Sequence, residues 1–104
     1  MRDKNGVDVD IRPWGWYEVI LDHPQTKVKL ITVKPNSRLS YQYHHKRQEQ
    51  WTVVSGNLTI VLDDEKVFRA WNETKKEVRF IEVQTGTYFG EDDIIRIEDD
   101  FNRI

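Results

Sequence analysis

The 104-residue sequence contains no cysteine. Disulfides, thiolate metal ligands and cysteine nucleophiles are therefore excluded. Proline is scarce. Pro13, Pro24 and Pro35 are the only three, all within the first 35 residues, and each punctuates extended segments. No apolar run approaches the roughly 20 residues that a membrane span needs. The opening Met1-Arg2-Asp3-Lys4-Asn5 lacks the apolar stretch of a secretory signal. Charge of one sign does not prevail either. The 16 basic residues stand against 18 acidic ones, net −2, which argues against a dedicated nucleic-acid binder. A soluble cytoplasmic domain without a nucleic-acid or membrane partner is expected.

What is present suits one small core. Hydrophobic residues make up 38% and aromatics 12%, enough for one domain over 1–104 and too short a chain for two. The segments are brief and rich in β-branched and aromatic residues. Residues 16–22 and 26–34 read as strands. In the second, Lys27 and Lys29 take one side, Val28 and Leu30 the other. Residues 50–54 and 57–63 flank a turn at Ser55-Gly56-Asn57. Residues 77–84 form a further strand, with a turn expected at Thr85-Gly86-Thr87. No long window carries a helical stripe; a short helical turn around 91–97 is the one exception expected. Many short strands at regular spacing indicate an antiparallel sandwich or barrel. Such a barrel closes its edges and keeps room for an interior site.

The stretch 36–56 carries the chemistry. On a strand, residues two apart share a face, so Gln42 and His44 point one way while Tyr43 and His45 point the other. Glu49 follows across a short charged loop. An amide oxygen, an imidazole and a carboxylate then converge, a donor set for a divalent ion. Zinc is favoured, with manganese, iron, cobalt and nickel also open. The plain alternative is a solvated histidine pair.

The intervals Asn36, Gln42, His44, Glu49 and Gly56 resemble the first motif of cupins, with Asn36 in place of a glycine. Asn is the residue best able to replace Gly at positive φ. Further blocks sharpen the resemblance: Arg12-Pro13-Trp14-Gly15, Leu39-Ser40-Tyr41-Gln42, Glu49 to Gly56, Ile81 to Gly86, and Gly90-Glu91-Asp92-Asp93-Ile94. Over residues 12–103 the chain resembles the type II mannose-6-phosphate isomerase domain, often the C-terminal part of enzymes that also carry mannose-1-phosphate guanylyltransferase activity. The resemblance implies an all-β cupin, a double-stranded β-helix of jelly-roll type. It implies metal ligands at Gln42, His44 and Glu49. It also implies a sugar-phosphate substrate, with Lys46, Arg47 or Arg12 as candidates to hold its phosphate. A homodimer through the N-terminal strand and its tryptophans is expected.

The sequence also departs from that family. Lys46 stands where a second histidine is common. The second cupin motif is interrupted: Asn72 fits its end, but Phe68 occupies the position of its histidine, and about 15 residues are missing by the family's spacing. A genuine deletion would leave three ligands and two exposed sheet edges, which proteins usually avoid. That consideration favours a segment omitted from the sequence. Arg96 and Arg103 sit in an acidic tail, expected to be a solvated face. Gln84 is expected to be a plain strand-end amide, and His23, beside Pro24, an exposed residue. Two functions compete on these grounds. One is a metal-dependent isomerase converting mannose 6-phosphate to fructose 6-phosphate. The other is a non-catalytic cupin that binds a sugar or sugar nucleotide, or serves as a dimerising partner. No Gly-rich phosphate loop is present, so guanylyl transfer is not expected.

Overall fold

The computed structural model describes residues 8–39, 41–44, 47–62, 68–86 and 94–98. Every regular element among them is a strand. In chain order these are β1 (Asp8–Arg12), β2 (Gly15–His23), β3 (Thr26–Val33), β4 (Ser37–Arg38) and β5 (Tyr41–His44). They are followed by β6 (Arg47–Ser55), β7 (Thr59–Leu62), β8 (Phe68–Asn72), β9 (Val78–Gly86) and β10 (Ile94–Glu98).

Two antiparallel sheets result. The first runs β1-β2-β3-β9-β6. The second runs β10-β5-β8-β4, with β7 on the other side of β8. The turns that join the strands follow from local chemistry. Asn36 adopts φ 54°, the left-handed conformation expected of an Asn that replaces Gly. Gly56 adopts φ 83° in the β6–β7 turn, where a Cβ would come within 2.9 Å of the Val78 side chain.

The core lies between the sheets. Trp14, Tyr17, Ile31, Val33, Leu39, Ala70 and Phe80 form one buried cluster, against which Val19, Trp51 and Leu58 pack. The Trp51 and Phe80 ring centroids are 4.9 Å apart at a tilt of 41°. Full burial of a side chain such as Phe80 contributes about 1.5–3 kcal/mol. Trp14, expected to form a dimer contact, lies in this core, and Trp16 is half-buried.

Two expectations need correction. The segment around 91–97 is not a helical turn where it is described. Ile94–Glu98 is a strand, paired with β5 through Ile94–His44, Ile95–Tyr43 and Arg96–Gln42. Three isoleucines in four positions favour an extended backbone, because β-branched side chains fit a pleated surface. Of the turn expected at Thr85-Gly86-Thr87, the first two residues are strand instead, and Thr87 lies outside the described residues. β9 continues through Gly86, which pairs with Arg47. Residues 63–67 lie outside the described residues, but β7 and β8 on either side pair directly, from Leu62–Phe68 to Thr59–Trp71. β7 and β8, on either side of the interrupted motif, are thus adjacent antiparallel strands.

Candidate active site on the inner face of the first sheet

Strand β9 alternates strictly. Val78, Phe80, Glu82 and Gln84 are buried, while Arg79 and Thr85 are exposed. Side chains two apart share a face, so these four line the interior. The first two are apolar and the last two polar. Register extends this division across the sheet. Val33 and Ile31 on β3 stand opposite Val78 and Phe80, and Lys29 stands opposite Glu82. On β6, Val53 faces Phe80, Trp51 faces Glu82 and Glu49 faces Gln84. One end of the interior is therefore a hydrocarbon floor. The other gathers an ammonium, two carboxylates and an amide.

The polar end is well buried. Lys29 is 4% exposed, Glu82 5% and Gln84 fully enclosed. The Lys29 ammonium lies 4.0 Å from the centroid of the Tyr17 ring, within cation–π range. Directly opposed residues of an antiparallel pair have Cβ atoms about 4.5–5.5 Å apart, so Lys29 and Glu82 are close neighbours. The Gln84 amide nitrogen donates to Glu82 Oε1. Trp51 Nε1 donates to Glu49 Oε1 at 3.1 Å, which fixes the orientation of that carboxylate. Gln84 Oε1 is buried and accepts no hydrogen bond. An unsatisfied buried acceptor costs about 1–3 kcal/mol, and a cation or a ligand hydroxyl beside it would relieve that cost. Gln84 is thus an interior group and not the plain strand-end amide expected. Its polar neighbours hold it inside despite its place near the end of β9.

The residues singled out by sequence do not all come together. Glu49 is brought into the interior. Gln42 and His44 lie on β5, with Gln42 in register with Phe68 on β8 and with Arg96 on β10; their side chains, and that of Arg47, lie outside what is described. Lys46 lies outside the described residues altogether. Arg12 is half-buried at the N-terminal hairpin. It donates to the Tyr17 hydroxyl at 3.2 Å and lies 3.8 Å from Asp10. His23 is exposed at the end of β2, as expected. Among the described residues, no group of three or more His, Cys, Asp or Glu side chains is arranged to hold a metal ion. By residue type, Gln42, His44 and Glu49 are a set that fits a divalent ion, and the unpartnered Gln84 oxygen belongs to the residue in register with Glu49.

Two antiparallel sheets around a partly polar interior define a double-stranded β-helix, the cupin class. Solved structures share this fold. The capsular polysaccharide assembling protein CapF of Staphylococcus aureus superposes with TM-score 0.73 at 16% identity, over 88% of this chain and 32% of that one. A double-stranded β-helix protein of Klebsiella pneumoniae superposes with TM-score 0.65 at 18% identity, over 95% of this chain and 91% of that one. Within the class, the chain belongs to the family described as mannose-6-phosphate isomerase C-terminal, whose sequence pattern matches residues 3–75 and 64–99. The alginate biosynthesis protein AlgA of Pseudomonas aeruginosa is 43% identical over 107 residues, 88% of this chain and 22% of that protein. The mannose-1-phosphate guanylyltransferase ManC of Salmonella typhimurium is 37% identical over 108 residues, 89% of this chain and 22% of that protein. The chain spans less than a quarter of the length of these relatives.

The matches also bear on the interrupted motif. The two matched segments overlap at 64–75, so that stretch fits the family pattern at two places. The AlgA alignment spans 107 residues yet covers 88% of 104, about 92. About 15 positions of the relative thus have no counterpart here, in agreement with the family spacing.

No helix among the described residues is long and apolar enough to cross a membrane.

Proposed function

We propose that the chain is a sugar-phosphate isomerase of the mannose-6-phosphate type, acting at the polar end of the barrel interior. The observation that carries this reading is the buried pair Lys29 and Glu82, set beside Glu49 and Gln84. A buried ionic group is costly unless paired, and cores seldom keep such groups without a use for them.

The reaction moves a proton from C2 of the aldose to C1 through an enediol, while a hydroxyl proton passes from O2 to O1. Glu82 is the group assigned to carry the carbon-bound proton. Gln84 holds its Oε1, which orients the carboxylate for transfer. Lys29 supplies positive charge beside the oxygens, where negative charge develops. Tyr17 and the apolar floor of Phe80, Ile31 and Val33 limit water around the enediol. Gln42, His44 and Glu49 would hold a divalent metal, with zinc the first choice. Such an ion would polarise the C1 and C2 oxygens. Arg12, Lys46 and Arg47 are the candidate partners of the phosphate.

The test is a coupled assay of fructose 6-phosphate formation from mannose 6-phosphate, on zinc-loaded and chelator-treated protein. Metal-dependent turnover is the expected result. A folded protein inert with every divalent ion tried would overturn the reading. One observation favours a second reading, a cupin that binds a sugar without converting it. Phe68, at the position of the family's histidine, stands in register with Gln42, so one ligand of the family set is absent. Saturable binding of mannose 6-phosphate without turnover would favour this second reading.

A further inference from the structure

Val53 and Ile60 both point inward. Val53 opposes Phe80 and Ile60 opposes Ala70, and both of those partners are fully buried. Yet Val53 is 45% exposed and Ile60 43%. An inward-facing aliphatic residue is this open only where the next strand is missing. Among the described residues, β6 pairs with β9 alone and β7 with β8 alone. Among the described residues each is an outermost strand of its sheet, and the two are joined by the short turn at Gly56. About 15 residues is the length of two short strands and a turn, and about 15 positions of the relatives have no counterpart here. The absent segment therefore accounts for a slot between two edges that carry no further pairing among the described residues.

We propose that a second copy of this chain closes the slot, edge to edge, about a two-fold axis through Thr52. Antiparallel pairing of β6 with its copy then sets Thr52 opposite Thr52, and Trp51 of one copy opposite Val53 of the other. Thr–Thr and aromatic–β-branched pairs are favourable cross-strand combinations. Gln50 falls opposite Val54 and Glu49 opposite Ser55, so no like charges meet. The β-bulge between Val53 and Ser55 limits regular pairing to the stretch around Thr52. β7, Thr59-Ile60-Val61-Leu62, carries none of the charges or prolines that usually guard an edge. The same axis brings the two β7 edges together, and Val53 and Ile60 of both copies bury one another. The interface is isologous, as a two-fold demands.

The chain has no cysteine, so Thr52→Cys introduces a single thiol. Opposed residues of an antiparallel pair have Cα atoms about 4.5–5.5 Å apart, within the range a disulfide spans. Mild oxidation of this variant is expected to give a covalent dimer of about twice 12.5 kDa, while Lys75→Cys, on the exposed turn after β8, remains monomeric in denaturing gels. In light scattering, the unmodified chain is expected at twice its monomer mass. Val53→Lys and Ile60→Lys, each checked for fold by circular dichroism, are expected at the monomer mass. If either lysine variant fails to fold, the cross-link decides. A monomeric chain overturns the proposal. So does a dimer in which Thr52→Cys fails to cross-link, such as one formed through the N-terminal hairpin or through a different partner of these edges.

Discussion

The Asn72 side-chain nitrogen donates to the Val33 carbonyl oxygen at 3.0 Å, and so ties β8 of the second sheet to the end of β3 in the first. The same nitrogen reaches the carbonyls of Lys34 at 3.1 Å and Lys76 at 2.7 Å. Asn72 Oδ1 accepts from Thr74 N at 3.0 Å and from Thr74 Oγ1 at 2.7 Å. Asn72 is fully buried. Its removal takes a hydrogen-bond partner from one buried and three part-buried backbone groups. Asn72→Ala is expected to cost about 2–4 kcal/mol and to lower Tm by roughly 10–20 °C. Asn72→Asp is expected to be no better, since it sets a carboxylate against three carbonyls. Scanning calorimetry of both variants checks this.

A second constraint is purely steric. Gly15 lies against β3, and a Cβ added there would overlap the Thr32 backbone carbonyl oxygen. Backbone held in a sheet ladder cannot move aside at low cost. Gly15→Ala is expected to destabilise by at least about 2 kcal/mol, in contrast to an exposed glycine-to-alanine change. Urea unfolding, with attention to an unchanged m-value, measures it.

The Lys29–Glu82 neighbourhood is open to a double-mutant cycle. Lys29→Met alone removes one charge from a buried set and is expected to cost about 3–5 kcal/mol. Glu82→Leu alone is expected to behave in the same way. The double variant is expected to be more stable than the sum of the single effects by at least about 1 kcal/mol. Strict additivity would mean that the two charges do not interact.

Glu82→Gln tests chemistry rather than packing. It keeps the shape and can still meet Gln84. Under the proposed reaction, kcat is expected to fall by about 10²–10⁴-fold, with mannose 6-phosphate binding, followed by calorimetry, largely retained. An unchanged kcat would assign the proton transfer elsewhere.

Phe68 offers a gain-of-function test. Phe68→His restores the histidine of the family motif at the position in register with Gln42. Zinc affinity, by competition with a chromogenic chelator, is expected to tighten by on the order of tenfold or more, comparable to the loss when a metal site is stripped of a supporting group.

Much of the fold is legible in the residues. The β-branched runs mark β2, β3, β7 and β9, and Gly56 and Asn36 mark turns whose positive φ the structure bears out. Glu49 is legible as well, through its interval from His44. The other side of the site is not. In Val78-Arg79-Phe80-Ile81-Glu82-Val83-Gln84 the inward set changes from apolar to polar midway. Periodicity reads Ile81 and Val83 as the core face of the second half, whereas Glu82 and Gln84 take it. Lys29 misleads in the same manner, because alternating lysines on β3 normally signal solvent. A polar interior reverses the rule that links polarity to exposure, and only the register with Phe80 and Val78 exposes the reversal. Around 91–97, where a short helical turn is expected, pairing of Ile94–Glu98 with β5 decides for a strand.

The shortened interval before β8 has a further consequence, for chain entropy. Val33 pairs with Val78, so the central β3–β9 contact closes a loop of about 45 residues. With some 15 residues restored, that loop would be about 60. The closure term grows only as the logarithm of length, so the two differ by about 0.3 kcal/mol. Making the chain shorter therefore does almost nothing for the ease with which β3 and β9 meet. For the pairing of β3 with β9, closure is nearly the same with or without those roughly 15 residues.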